Sequence, residues 1–262
     1  VGMDGAFALD CSDLKGRKLL NLDSELEGVF TVSCAGGMRA DCHLPGAMEP
    51  VSGMSGYAVT LSGLQGGHSG ADIHLGRASA NQQMGRVLYS AMERFRGLRL
   101  AAVSGGQFDN VICSRCDAAV AIPAGKEAEF EAFIAEFDAI LKNEYAGCDD
   151  GITLSCAKTD VTAAISEITT NLMLHTLLAL PQGVQAMSVD FPGLTQTSLN
   201  MGVLRLEEDG LYITFSIRSS IASQKEMLAQ RVHSIVEFAG GTVTERGRYP
   251  GWQYERNSRF RE

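Results

Sequence analysis

The chain has 262 residues, 45% of them apolar, which is enough material for a substantial core in one or two domains. Its formal net charge of −9 argues against binding to a nucleic acid, because the phosphate backbone requires a concentrated basic face. The sequence contains no apolar run of about 18 or more residues and does not begin with a signal peptide, so we expect a cytoplasmic protein without a membrane segment.

The first 48 residues do not read as a domain of their own. The apolar run 18–23 is typical of a buried parallel strand, and it places a carboxylate, Asp23, at the C-terminal end, where α/β folds bind ligands. A turn or helix N-cap aspartate is the alternative interpretation of Asp23. The run 29–34 then has the pattern of a hairpin strand.

Between residues 49 and 248, strands and helices follow each other in an order that occurs twice, in residues 49–149 and 150–248. The predicted strands are 57–62, 98–103, 110–122, 152–157, 198–206, 211–216 and 242–245, and the predicted helices are 79–95, 126–145, 170–180 and 224–238. Two consecutive β-α-β-β-α-β units predict an α+β fold. Together they should form one extended, mainly antiparallel sheet with helices on one face.

Seven cysteines are present, and only Cys113 and Cys116 have the spacing of a redox or zinc pair. No second pair at ligand spacing accompanies them, and on a strand the two side chains would not share a face. We therefore expect a structural role for this pair and reduced thiols throughout the chain.

The stretch GGHSG at residues 66–70 closes the alternating strand 57–62. Glycines on both sides of His68 allow positive φ and bring the imidazole to the tip of the sheet, close to a ligand. A glycine-rich turn with an ordinary surface histidine is the alternative.

The same stretch, together with DIH at residues 72–74, resembles the lid-domain motif of the aminoacyl-histidine dipeptidases. Three further stretches occur in the order that this family has, namely VGMDGA at 1–6, NLDSE at 21–25 and YPGW at 249–252. The resemblance implies a di-metal hydrolase domain interrupted by an inserted lid, with a dipeptide substrate clamped between the two.

On this basis the chain divides into three parts. Residues 1–48 would be a fragment of an α/β catalytic domain, 49–248 a lid and dimerisation domain, and 249–262 the return toward the catalytic domain. The family's remaining metal-ligand motifs and its Glu-Glu pair should lie before residue 1, and its last histidine ligand after residue 262, so we expect an internal piece that is inactive alone. A stand-alone binding or dimerisation module without catalysis is the alternative.

The resemblance also assigns roles to four residues. Asp23 would be a metal ligand in a site for two zinc ions, with manganese or cobalt as other options. His68 would donate a hydrogen bond to the oxyanion, and Asn110 would hold the same oxygen or the substrate terminus. Arg218 would grip the C-terminal carboxylate of the dipeptide.

Two of these assignments have structural alternatives. Asn110 could simply be a turn residue that opens a strand, and Arg218 could pair with a carboxylate of the lid itself. The remaining histidines lack ligand spacing, and we expect them to have core or surface roles; they are His43, His74, His175 and His233. The expected partners are the dipeptide and a second copy of the chain, bound through the lid.

Overall fold

The computed structural model describes residues 5, 8–16, 18–20 and 27–260. Within these residues the strands are β1 (Gly36–Pro45), β2 (Met48–Pro50), β3 (Met54–Ser62), β4 (Gly67–His68), β5 (Arg99–Gly105), β6 (Val111–Ile112), β7 (Cys116–Pro123), β8 (Thr153–Lys158), β9 (Ala163–Ile165), β10 (Gly183–Met187), β11 (Thr195–Glu207), β12 (Gly210–Ser219) and β13 (Thr242–Tyr249). The helices are α1 (Ala80–Arg94), α2 (Glu127–Glu144), α3 (Glu167–Ala179) and α4 (Ala222–Phe238).

One large sheet contains nine of these strands. Its order is β13-β1-β12-β11-β5-β7-β3-β8, and β10 pairs with β11 beside this path. All of the described ladders are antiparallel. The predicted α+β fold with an extended antiparallel sheet is therefore confirmed.

The strand order shows an internal repeat centred between β11 and β5. Moving outward, one half contains β5, β7, β3 and β8, and the other contains β11, β12, β1 and β13. Each half is a four-stranded unit, so β1 has the position in the second unit that β3 has in the first. One inner strand of the second unit, β1, therefore lies before the first unit in the sequence.

This connection differs from the predicted one in two respects. Residues 152–157 were expected to open the second unit, but β8 pairs only with β3 and closes the first unit. Residues 36–45 were assigned with the catalytic fragment 1–48, but β1 pairs with both β12 and β13 in the main sheet. Apart from this strand, the division of the chain into domains stays a prediction.

Two local predictions also need correction. The run 29–34 forms no hairpin strand, and its last residue, Cys34, makes an isolated bridge with Trp252. The predicted strand 110–122 is interrupted between β6 and β7. There the Cys113 carbonyl accepts the Ala80 N–H at the start of α1, which takes Cys113 out of the ladder.

The helices cover one face of the sheet through apolar side chains at helical spacing. The buried positions include Met84, Val87 and Leu88 on α1, Phe130, Phe133 and Phe137 on α2, and Leu228, Val232 and Val236 on α4. Each such side chain contributes about 1.5–3 kcal/mol when it leaves water. Helix α3 packs mainly against α1. Its N-cap residue is Ser166, whose hydroxyl accepts the Thr169 N–H. Among the described helices, none combines the length and apolar character needed to cross a membrane.

Candidate functional site

The candidate site lies on the sheet face opposite the helices. Strand β12 alternates, so Ile213, Phe215 and Ile217 enter the helix-covered core while Arg218 projects from the other face. On that face Arg218 is paired in register with Ser198 of β11. Loops that follow β3 and β5 of the first unit reach this part of the second unit and carry the other candidate residues.

The loop after β3 is shaped by two glycines with positive φ, Gly66 at 68° and Gly67 at 136°. A Cβ atom at Gly67 would lie 2.6 Å from Asp72 Oδ2 and equally close to Arg77 Nη1, so a larger residue would displace both side chains and strain the backbone. The same two side chains hold the loop. Asp72 Oδ2 accepts the His68 N–H at 2.8 Å, and Arg77 donates to the Gly66 carbonyl at 2.7 Å.

A buried carboxylate, Asp149, fixes both ends of this loop. Its Oδ1 accepts the Gln65 N–H at 2.6 Å, and its Oδ2 accepts the Ala78 N–H at 2.7 Å. The residue is fully buried, and two backbone donors satisfy the charge that burial would otherwise leave without partners. Asp149 therefore holds the glycine-rich loop in one place relative to α1.

The imidazole of His68 is exposed and has a defined orientation. Its Nδ1 lies 3.2 Å from the backbone N–H groups of Gly70 and Ala71, both of which donate to it. When Nδ1 accepts, the neutral ring carries its proton on Nε2. The ring therefore presents a single N–H donor to a ligand.

Asn110 reaches the same place because its loop pairs with the loop of His68. The two-residue strands β4 and β6 pair His68 with Val111, and the Ser69 N–H donates to the Asn110 carbonyl at 2.9 Å. The Asn110 side chain is partly exposed and makes no hydrogen bond to the described residues. Its amide is thus available to a ligand, while its backbone is fixed.

Arg218 lies next to His68 in the structure. A Cβ atom at Gly70 would be 3.0 Å from Cε1 of His68 and 3.3 Å from Cζ of Arg218, so the two side chains meet around this glycine. The Nε of Arg218 is buried and has no hydrogen-bond partner in the part of the chain that the structure describes. Across the described ranges no carboxylate forms an ion pair with its guanidinium, so the alternative of a salt bridge within the lid finds no support there.

The fourth candidate, Asp23, lies outside the described residues. In the described part of the chain, no three His, Cys, Asp or Glu side chains come together in a way that could hold a metal ion. These residues therefore do not fit a metal centre by themselves, and no chemical step is assigned to a metal here.

The other histidines and the cysteine pair lie elsewhere in the fold. His43 stacks on Tyr212, His175 contacts Asn171 and Tyr89, His233 pairs with Glu237 and Glu245, and His74 is exposed in a short 3-10 helix. Cys113 and Cys116 are buried free thiols, and burial raises the pKa of both. A buried, protonated thiol is a poor metal ligand and nucleophile, which agrees with the expected structural role.

Comparison with known proteins shows what the chain is similar to. Residues 59–148 match the peptidase dimerisation domain, M20_dimer. The crystal structure of aminoacylhistidine dipeptidase from Vibrio alginolyticus superposes with a TM-score of 0.93 at 33% identity, over 99% of this chain and 53% of that one. Over almost its whole length, the chain is similar to about half of an aminoacylhistidine dipeptidase. Cytosol non-specific dipeptidase from Escherichia coli K12 is 35% identical over 98% of the chain, and 53% of its own length is covered.

The chain thus spans about half the length of these dipeptidases, and the family resemblance inferred from its motifs is confirmed. Sequence reasoning found His68, Asn110 and Arg218, which the fold brings together, but it missed Asp149 and Asn200. Asp149 sits in a polar stretch that reads as an ordinary turn. Asn200 gave a usable signal, because a polar residue in the middle of an apolar strand needs a partner when it is buried.

Proposed function

We propose that this chain is the substrate-clamping lid of a metal-dependent dipeptidase that acts on Xaa-His-type dipeptides. The observation that carries the proposal is the guanidinium of Arg218, which has no partner among the described residues, beside the oriented imidazole of His68. A cation and a neutral donor, side by side, suit a ligand that has a carboxylate close to a carbonyl group. A short peptide has both at its C-terminal end.

Arg218 would bind the C-terminal carboxylate of the dipeptide. Its planar guanidinium can donate two parallel hydrogen bonds to a carboxylate. A bound carboxylate would also be a hydrogen-bond acceptor for the buried Nε, which has none among the described residues. Because the carboxylate is charged in the ground state and in the transition state alike, this contact should contribute to binding more than to the chemical step.

His68 and Asn110 would act on the scissile carbonyl. The Nε2–H of His68 can donate to the oxygen that becomes negative as water attacks, and the free amide of Asn110 can donate to the same oxygen. Because the negative charge develops only during the reaction, these bonds should be strongest in the transition state.

The metal part of the proposal rests on the family. Asp23 would be one ligand of a site for two zinc ions, with manganese or cobalt as alternatives, and the other ligands would come from outside this chain. The breadth of substrate choice is also part of the proposal, since one similar protein is named an aminoacylhistidine dipeptidase and the other a non-specific dipeptidase. A cytoplasmic location is proposed from the cytosolic name of the E. coli relative.

We also propose a homodimer formed through the lid, supported by the match of residues 59–148 to a dimerisation domain. The same match is the observation that favours the second candidate function, a binding or dimerisation module without catalysis. The two candidates differ in the roles of Arg218 and His68. In a dipeptidase lid both side chains contact the substrate, whereas a pure interaction module does not need either of them.

The test is a kinetic comparison in the full-length enzyme with a dipeptide and its C-terminal amide. His68→Ala should lower kcat by about a hundredfold or more and leave KM nearly unchanged. Arg218→Ala should mainly raise KM for the acid and remove the preference for acid over amide.

Matched controls are His74→Ala, an exposed histidine near the same loop, and Arg205→Ala, an exposed arginine on β11. Both should behave as the wild type. If His68→Ala changed KM alone and Arg218→Ala kept the acid-to-amide preference, the two roles would be wrongly assigned. If neither changed any kinetic constant, the module without catalysis would be the better account.

A further inference from the structure

The two units contribute different parts of the candidate site, and the buried side chain of Asn200 connects these parts. His68 and Asn110 belong to the first unit, whereas Arg218 belongs to β12 of the second. Among the described residues, the ladder that joins the units is short, with Leu204 and Arg205 of β11 paired with Gly105 and Ser104 of β5. The relative position of the two halves of the site must therefore depend on additional contacts.

Asn200 on β11 makes the most direct of these contacts. It is 1% exposed, and its Nδ2 donates to the Asp109 carbonyl at 2.9 Å and to the Val111 carbonyl at 2.8 Å. These two carbonyls flank Asn110, whose own carbonyl accepts from Ser69 next to His68. This amide thus holds the segment that carries Asn110 and, through it, the segment that carries His68, and the ion pair of Arg39 on β1 with Asp109 adds a second tie to the same segment.

The same residue is rigidly linked to Arg218. Asn200 is paired with Ser216 and lies two residues from Ser198, the partner of Arg218, so Asn200 and Arg218 project from the same sheet face. The Oδ1 of Asn200 accepts from Gln182 Nε2 at 3.2 Å, which fixes the orientation of the amide and directs both of its hydrogens toward the loop.

We propose that Asn200 is a positioning residue that sets the distance between Arg218 and the pair His68 and Asn110, and that this distance makes the site selective for dipeptides. The inference rests on the proposed function. If Arg218 holds the carboxylate and the pair holds the scissile carbonyl, their separation must match one residue of peptide. A tripeptide adds about 3.3–3.6 Å of extended chain between these groups and is rejected while the spacing is fixed.

The first arm of the test uses the full-length enzyme with a dipeptide and the matching tripeptide. Asn200→Ala should reduce the ratio of kcat/KM values, dipeptide over tripeptide, by about tenfold or more, because a displacement near 1 Å is enough for such a loss. The control is Asn81→Ala. Asn81 is also fully buried and also joins the units, but its amide donates to the carbonyls of Gly105 and Met201 and not to those of residues 109–111.

The second arm does not depend on activity. Hydrogen exchange of the Ser69 amide, which donates to Asn110, should be at least about tenfold faster in Asn200→Ala than in Asn81→Ala, because only the first variant frees the loop. Gln182→Ala is a milder variant in case Asn200→Ala does not fold. It should change the selectivity and the exchange rate in the same direction by a smaller factor.

The outcomes are separable. Equal effects of the Asn200 and Asn81 variants on both selectivity and exchange would overturn the proposal and leave Asn200 a purely structural residue. A full-length wild type that cleaves no dipeptide would overturn the proposed function and the selectivity with it. In that case the exchange measurement would still decide whether Asn200 anchors the loop.

Discussion

At the scale of single residues, Asp149 is the side chain on which the glycine-rich loop depends most. Both of its oxygens accept backbone N–H groups, so an isosteric amide cannot replace it. In Asp149→Asn, one N–H would face an NH2 group and be buried without an acceptor. We expect the free energy of unfolding to fall by about 1–3 kcal/mol, as measured by urea denaturation. Asp160→Asn, at an exposed position, should be neutral.

The buried thiols predict how stability depends on pH. Burial raises the pKa of Cys42 to about 12 from its ordinary value of 9.0, and it raises the pKa of Cys113 and Cys116 as well. Above pH 9 the unfolded chain releases these protons while the folded chain retains them, so stability should fall as pH rises from 9 toward 12. The slope is at most about 1.4 kcal/mol per pH unit for each thiol.

Cys42→Ala tests this linkage, because the variant removes one titrating group from the folded core. Urea denaturation at several values between pH 8 and pH 11 should give a shallower decline for the variant than for the wild type. The comparison concerns the slope, since the smaller side chain lowers stability at every pH. An unchanged slope would mean that the Cys42 thiolate is tolerated in the folded protein.

At the scale of elements, the junction of the units depends on a close approach of backbones. Strand β11 has a register shift between Met201 and Val203, and the glycine between them lies directly under the loop that carries Asn110. A Cβ atom at Gly202 would be 2.5 Å from the Cα of Asp109, which is closer than real contacts allow.

Gly202→Ala should therefore push the Asn110 loop away from β11 and break the hydrogen bonds of Asn200. We expect a loss of about 1–3 kcal/mol in unfolding free energy, since such overpacking cannot be relieved by a side-chain rotation. Differential scanning calorimetry would measure the change. Ser104→Ala, on the facing strand β5 with an exposed side chain, should have almost no effect.

Elements whose signal is local were predictable from the sequence. Helix α2 has the stripe of Phe130, Phe133 and Phe137, and its predicted range of 126–145 differs from the observed bounds by one residue at each end. Strand β1 was missed, because its alternating buried residues start with two glycines and its partners lie about 170 residues away. The Cys113 break was missed because it depends on a tertiary contact with α1.

The same distinction holds for the candidate site. His68 could be found because its glycines and neighbours form a local motif, and Asn110 and Arg218 followed from the family resemblance. The positions of Asp149 and Asn200 could not be read in this way. Their importance depends on which carbonyl and N–H groups of distant segments they meet, and only the folded chain specifies that.

At the scale of the whole molecule, the doubled unit bears on assembly. The inner edges, β5 and β11, are already paired with each other, so a second copy that binds by strand pairing must use the outer strands. On the outer strand β8 the Leu154 N–H is already capped by Asp138 Oδ1 at 2.8 Å, which makes simple extension of the sheet there less favourable.

The proposed homodimer predicts a solution mass of twice 28.0 kDa in light scattering. Asp138→Asn keeps the size of the side chain that contacts β8. If β8 forms the dimer interface, this substitution should change the dissociation constant of the dimer. If the interface lies elsewhere, the dissociation constant should not change. A mass that stays at 28.0 kDa at high protein concentration would argue against a dimer of this chain.

The placement of β1 also has a consequence for the order in which the chain folds. The first unit is continuous from β3 to β8, so it can close as soon as it has been synthesised. Strand β1 is made earlier but has to wait for β12 and β13, and its pairing closes a loop of more than 160 residues. Pulsed hydrogen exchange during refolding should therefore protect the amides of β3 and β7 before those of β1. Until β12 and β13 have been synthesised, β1 is an unpaired strand with open edges, which a chaperone or another chain can bind.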